Sequence, residues 1–203
     1  MRQKRGFSMQ PNLSELLSSR ICHDLISPVG AIGNGLELMN ELGNPSPELE
    51  LVGQSAQTAQ AKLKFFRTAF GDARHGQIGG PEAQRTAEAM FASGRIKVTF
   101  SEPWGDRQRG LVKLLYLLLL CVESSLPRGG NMQCTPTISG WKIEVKNTPI
   151  KVQEELWSHV TSGTKVSELT AKTIQFNLAR QLCVDQSIAL DLTIGESQLT
   201  LRF

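Results

Sequence analysis

Two adjacent residues, His23 and Asp24, could do chemistry together, and both lie in the run Ser19-Arg20-Ile21-Cys22-His23-Asp24-Leu25-Ile26-Ser27-Pro28-Val29. An imidazole is largely unprotonated at neutral pH and is then a nucleophile able to attack phosphorus and form a phosphoramidate. A neighbouring acid can accept a hydrogen bond from the other ring nitrogen, which fixes the tautomer and aids proton movement. Pro28 removes one helical hydrogen bond and bends a helix that contains it. Each residue also has a plain reading, because an exposed histidine or acid on a helix is ordinarily solvated surface. The choice rests on what surrounds them.

The pattern around His23 is helical. A helix is expected from about Leu13 to Leu42, with Asn12 as N-cap and Glu15 completing an arrangement similar to a capping box. Gly43-Asn44-Pro45 ends it, and Ser46-Pro47-Glu48 has the residues that open a second. The first helix carries Leu17, Ile21, Leu25, Pro28, Ile32, Leu36 and Met39 in steps of three and four. The second repeats that stepping with Leu49, Val52, Ala56, Ala59, Leu63, Phe66 and Phe70, a heptad seam. At about 100° per residue, His23 stands opposite the apolar stripe, on an outer face shared with Ser19, Ile26, Ser27, Gly30 and Asn34. A bulky partner could reach it there. Two such helices leave apolar surface wet, and a second copy covering it would make a dimeric four-helix bundle.

The remainder reads differently. Ile96, Val98 and Phe100 alternate as in a strand, as do Trp141, Ile143 and Val145. Ile188 to Ile194 and Leu199 to Phe203 flank a Gly195-Glu196-Ser197 turn and form a terminal hairpin. Helices are expected at 82–93, 106–126, 151–161 and 167–184. The fold class is therefore α+β: a helical hairpin in residues 1–76 and an α/β sandwich in residues 77–203. The run Leu111 to Val122 is broken by Lys113 and is shorter than the about 20 residues a membrane span needs, so it is expected to be a buried helix. The four cysteines show no metal or redox spacing and suit a reducing cytoplasm. A net charge of +3 does not point to nucleic acid or a membrane surface.

His23-Asp24-Leu25-x-Ser27-Pro28-Val29 resembles the phosphoacceptor box of bacterial histidine kinases. With the flanking Ser-Arg-Ile-Cys and Val29-Gly30-Ala31-Ile32-Gly33-Asn34-Gly35-Leu36-Glu37-Leu38, it is similar to that of ChpT-type histidine phosphotransferases. The resemblance extends over nearly the whole chain. It implies a homodimer with His23 as phosphoryl carrier, Asp24 assisting, and docking through Ser19, Ile26 and Gly30. It also implies a second domain resembling a kinase ATPase domain that has lost ATP binding. The sequence fits that loss: Leu117 to Ser125 has no magnesium-holding Asn, Val145 leads into Lys146-Asn147-Thr148-Pro149 instead of Asp-x-Gly-x-Gly, and Ser167 to Gln181 has no glycine. The implied activity is a phosphorelay shuttle between the receiver domain of a hybrid kinase and response regulators. The chain would bind no cofactor, and Mg²⁺ would come with the receiver. Ser27 stands where related kinases carry Thr or Asn for phosphatase action, so a phosphatase is one alternative. A pure interaction module and an ATP-dependent kinase core are the others.

Overall fold

The computed structural model describes residues 20, 21, 24, 25, 27–32, 35, 38, 39, 46–71 and 76–203. Every described residue from 20 to 39 is helical, and these are together called α1. Then follow α2 (Ser46–Phe70), β1 (Gln77–Ile78), α3 (Gly80–Phe91), β2 (Ile96–Phe100), β3 (Arg107–Gln108), α4 (Arg109–Ser124), β4 (Gly130–Pro136), β5 (Trp141–Lys146), α5 (Glu154–Ser162), α6 (Ile174–Asp185), β6 (Asp191–Ile194) and β7 (Gln198–Arg202). The expected caps at Asn12 and at Gly43-Asn44-Pro45 lie outside the described residues.

The leucine-rich run forms the centre. From Leu114 to Val122 no residue of α4 is more than 1% exposed, as expected of a helix that is apolar all round. It packs against α2 and α6. The main sheet has the order β2-β4-β5-β7-β6, with β2 and β4 parallel and the other pairs antiparallel. Val98, Met132, Cys134, Trp141, Ile143, Val145, Leu199 and Leu201 point into the core on one face of it. Residues between them, such as Lys142 and Glu144, pair with each other at 2.7 Å on the other face. This inward–outward alternation is what a sheet covered on one side requires. A separate two-stranded ribbon pairs β1 with β3.

Four expected helices shift their bounds, the strand expected from Ile188 starts at Asp191, and the strands β1, β3 and β4 are new. Arg107 and Gln108 pair with β1, so α4 starts at Arg109. The helix expected at 82–93 is α3, shifted two residues towards the N-terminus. The helix expected from 151 starts at Glu154. The helix expected from 167 starts only at Ile174. Before it, the Thr170 N–H donates to Thr173 Oγ1 at 2.9 Å and the Ser167 N–H donates to the Glu155 carboxylate. Such side-chain bonds compete with helical ones. Gly130–Pro136 is a strand that its polar, Gly- and Pro-bounded sequence did not announce; β2 and β5 on either side recruit it. Gly129 (φ +88) makes the turn into it, and a Cβ there would lie 2.4 Å from the Arg95 carbonyl oxygen.

The hairpin and the α/β layers share one core. The Phe65 ring of α2 stacks on Tyr116 of α4 at 4.2 Å and 4°, and Phe65 and Ala69 are wholly buried. The Tyr116 hydroxyl donates to the Ala83 carbonyl of α3 at 2.7 Å. Burial pushes that phenol well above its ordinary range. Trp104, Trp141 and Trp157 are all buried and all lie in the second half of the chain. Phe65→Ala is therefore expected to cost about 3–5 kcal/mol of stability. In urea unfolding at fixed protein concentration, it should lower the tryptophan-fluorescence midpoint although Phe65 lies on the hairpin. An unchanged midpoint would show two independent cores.

Candidate functional site

Helix α1 carries the box, and its described residues sort by face. Pro28 and Gly35 are buried, Ile21, Leu25 and Ile32 are half-buried, and Ser27, Val29 and Gly30 are exposed. The apolar stripe is thus turned inward, and Ser27 and Gly30 share the opposite side. A Cβ built on Gly30 would meet nothing within 4 Å. His23, Ser19 and Ile26 lie outside the described residues.

Asp24 is not an open surface acid. Its side chain is 13% exposed, and its Oδ2 lies 2.9 Å from Arg20 Nε, one helical turn earlier. The N–H is not aimed at the oxygen, so the contact is an ion pair without a linear hydrogen bond. The other end of the Arg20 guanidinium lies 3.8 Å from Glu123 Oε2, in the last turn of α4. From α2, Lys62 Nζ donates to the backbone carbonyl of Asp24 at 3.2 Å. Two cations and two carboxylates, from α1, α2 and α4, therefore meet beside the box.

This quartet lines a cleft of about 270 Å³ between the hairpin and the turn after α3, shared with Ser93, Arg95 and Gly129. On its other side Arg20, Asp24 and Glu123 line a second cleft of about 520 Å³ with Ser124, Gln153 and Lys172. Glu123 sits at the junction. Burial pushes its carboxyl up, Arg20 opposes that shift, Asp24 adds to it and Lys62 opposes it.

The segments in which the sequence lacks nucleotide motifs make other contacts. On the inner face of α4, Cys121 is buried, and burial raises its thiol pKa. After β5, Asn147 turns the chain (φ 55), and Thr148 Oγ1 donates to the Gly129 carbonyl at 3.0 Å. The N–H groups of Thr148 and Ile150 donate to the carbonyls of Ser197 and Glu196 at 3.4 and 2.8 Å. His159 is a fastener between α5 and α6: its ring nitrogens lie 2.7 Å from the Thr164 carbonyl and 3.2 Å from Asn177 Oδ1. Among the described residues no His, Cys, Asp or Glu group could hold a metal, and no helix is long and apolar enough to cross a membrane.

Residues 80–198 match the histidine phosphotransferase C-terminal domain. Over 170 residues, 81% of each chain, the sequence is 42% identical to the protein phosphotransferase ChpT of Brucella abortus (strain 2308). The chain belongs to the histidine phosphotransferase family. A solved bacterial phosphotransferase is similar over 93% of this chain and 94% of its own, with a TM-score of 0.78 and 32% identity. The α+β fold and the ChpT-type likeness are thus shared with a phosphotransferase across most of the chain. This phosphotransferase has the activity that the His-Asp box implied, in a phosphorelay.

Three residues of the site, Arg20, Lys62 and Glu123, were not singled out from sequence. Arg20 had a local signal, since an Arg–Asp pair four apart shares a helix face. Lys62 and Glu123 reach the box only through tertiary packing, 38 and 99 residues after Asp24 in sequence.

The raised Glu123 pKa gives stability a definite pH dependence. Between its ordinary value of 4.5 and the raised folded value, the folded protein holds a proton that the unfolded chain has released. This contribution is present in full below the unfolded pKa and is lost as pH rises through the folded one. The unfolding free energy of the wild type minus that of Glu123→Gln should therefore fall as pH rises above the ordinary value of 4.5, measured by urea unfolding. A flat difference would show that Glu123 titrates normally.

Proposed function

We propose that His23 is the phosphoryl carrier of this phosphotransferase, taking the group from the receiver domain of a hybrid kinase and passing it to the receivers of response regulators in the cytoplasm. The observation that carries the reading is the sorting of α1. Pro28 turns inward, Ser27 and Gly30 are open, and helical periodicity puts His23 on their side. A groove of about 650 Å³ beside the box, lined by Ser27, Pro28 and Ala31 of α1, Gln54 and Thr58 of α2 and Ser93, gives a receiver a surface of small and polar side chains to approach. Ser19, Ile26 and Gly30 are the assigned docking residues.

In the transfer, a lone pair of the neutral His23 ring attacks the receiver's aspartyl phosphate in line. The P–N bond forms as the P–O bond breaks, and the leaving electrons stay on the receiver's carboxylate. Mg²⁺ brought by the receiver's acidic pocket would neutralise charge, and this chain is expected to supply no cofactor. Asp24 fixes the ring tautomer. Ser27, exposed beside the box, is assigned to contact the incoming phosphoryl group, and a water held by it would turn transfer into phosphatase action. The bonded turn after β5 and the buried Cys121 support a domain that does not take ATP.

The protein is proposed to act as a homodimer through the hairpin. Leu49 and Leu63 of the expected seam remain 53% and 50% exposed, and Ile21, Leu63, Phe66 and Phe70 line an apolar groove. A second hairpin laid along it would complete a four-helix bundle. Leu63→Arg should give a monomer by sedimentation equilibrium, where the wild type sediments as a dimer; equal masses would remove this face from the interface.

The carrier is tested with a panel of receiver domains, phosphorylated beforehand and freed of ATP. Acid-labile, base-stable label should pass to the wild type and not to His23→Ala. With ATP and Mg²⁺ but no receiver, neither protein should label. Receivers that bind both proteins yet label neither would replace the shuttle by a non-catalytic interaction module.

A further inference from the structure

A proline in a helix removes one specific backbone donor, and here the carbonyl that donor would serve belongs to the residue next to the proposed carrier. The N–H of residue i bonds the carbonyl of residue i−4. Pro28 has no N–H, so the bond that would close on Asp24 cannot form. Asp24 O is part-buried, and a buried acceptor left without a donor is costly. Lys62 of α2 supplies a donor: its Nζ reaches Asp24 O at 3.2 Å. The bond is charge-assisted.

The same lysine lies in the cleft with Arg20, Asp24 and Glu123. Arg20 holds the Asp24 carboxylate at 2.9 Å, and Glu123 holds Arg20 from α4 at 3.8 Å. Asp24 is thus gripped at its main chain from α2 and at its side chain from its own helix, backed by the α/β layers. The bend at Pro28 would otherwise have a soft direction, because helices kink where the ladder is broken. We infer that Lys62 is a positioning residue for phosphoryl transfer, fixing the backbone at Asp24 where Pro28 opens the helix and so holding the adjacent His23 ring in the attacking direction. The inference rests on His23 as the carrier. It assigns to Lys62 no contact with the phosphoryl group.

The relation to Pro28 gives a test that a general stabilising lysine would fail. Full-length proteins take label from a phosphorylated receiver domain that serves as donor to the wild type, at varied receiver concentration. Lys62→Met should lower the maximum transfer rate about tenfold and leave the half-saturating receiver concentration within about twofold, since orientation and not docking is lost. Lys62→Arg keeps a cationic donor and should restore the rate to within about threefold of wild type. Pro28→Ala returns the N–H and closes the helical bond, so adding Lys62→Met to Pro28→Ala should change the rate less than about twofold. An unimpaired Lys62→Met, a loss of equal size in both backgrounds, or an effect confined to half-saturation would overturn the inference while leaving His23 as carrier. Label on a His23→Gln protein would overturn the carrier assignment, and this inference with it.

Discussion

A helix that is apolar on every face must be covered from every side, and α4 sets that demand on the rest of the molecule. The inner face of the sheet covers part of it, α6 another, and the hairpin helix α2 a third through Phe65 and Ala69. The consequence reaches beyond stability. Because α2 closes the core, the hairpin is attached to the α/β layers by packed rings and not by a linker alone. The last turn of α4 then arrives beside the box, carrying Glu123 out of the core and into the cleft where Arg20 stands. The burial of one leucine-rich helix thereby fixes where a charge meets the phosphotransfer segment.

The charged quartet shows how packing engages an acid that lies beside the box in sequence. Asp24 looks in sequence like an outward helper of its neighbouring histidine. In the structure it is mostly covered and ion-paired, with one oxygen facing a guanidinium. Pairs of this kind contribute little when exposed, but partial burial reduces screening and makes breaking one partner costly. Net charge within the quartet is balanced, with Arg20 and Lys62 against Asp24 and Glu123, so no member is left as a lone buried ion. Burial still dominates at Glu123, whose carboxyl is pushed up although two cations oppose the shift.

The polar groups of the α/β layers near β5 and α4 are used within the fold. The turn after β5 uses its N–H groups on Ser197 and Glu196, and Cys121 packs as a small hydrophobe. The α/β layers pack against the hairpin and line, with it, the groove at Ser27 and Ser93. A phosphotransferase requires orientation more than reactive groups, because the transferred phosphoryl passes through a transition state governed by positioning and electrostatics.

The sequence by itself determined the parts that depend on neighbours along the chain. The inward stripe of Ile21, Leu25, Pro28 and Ile32, the opening of α2 at Ser46, the terminal hairpin around Gly195 and the burial of the leucine run all follow from periodicity and turn chemistry, which are local. So does the His-Asp box, whose residues are contiguous. Only the tertiary structure decided β4, a polar segment made a strand by the partners on either side, and the late start of α6, where side-chain hydroxyls compete for the backbone. It alone brought Lys62 to the carbonyl whose helical donor Pro28 removes and Glu123 to Arg20. That Pro28 strips a helical bond is written in the residue itself. Which side chain replaces the bond is set by how α2 and α4 pack, and no spacing in the chain encodes a contact between helices.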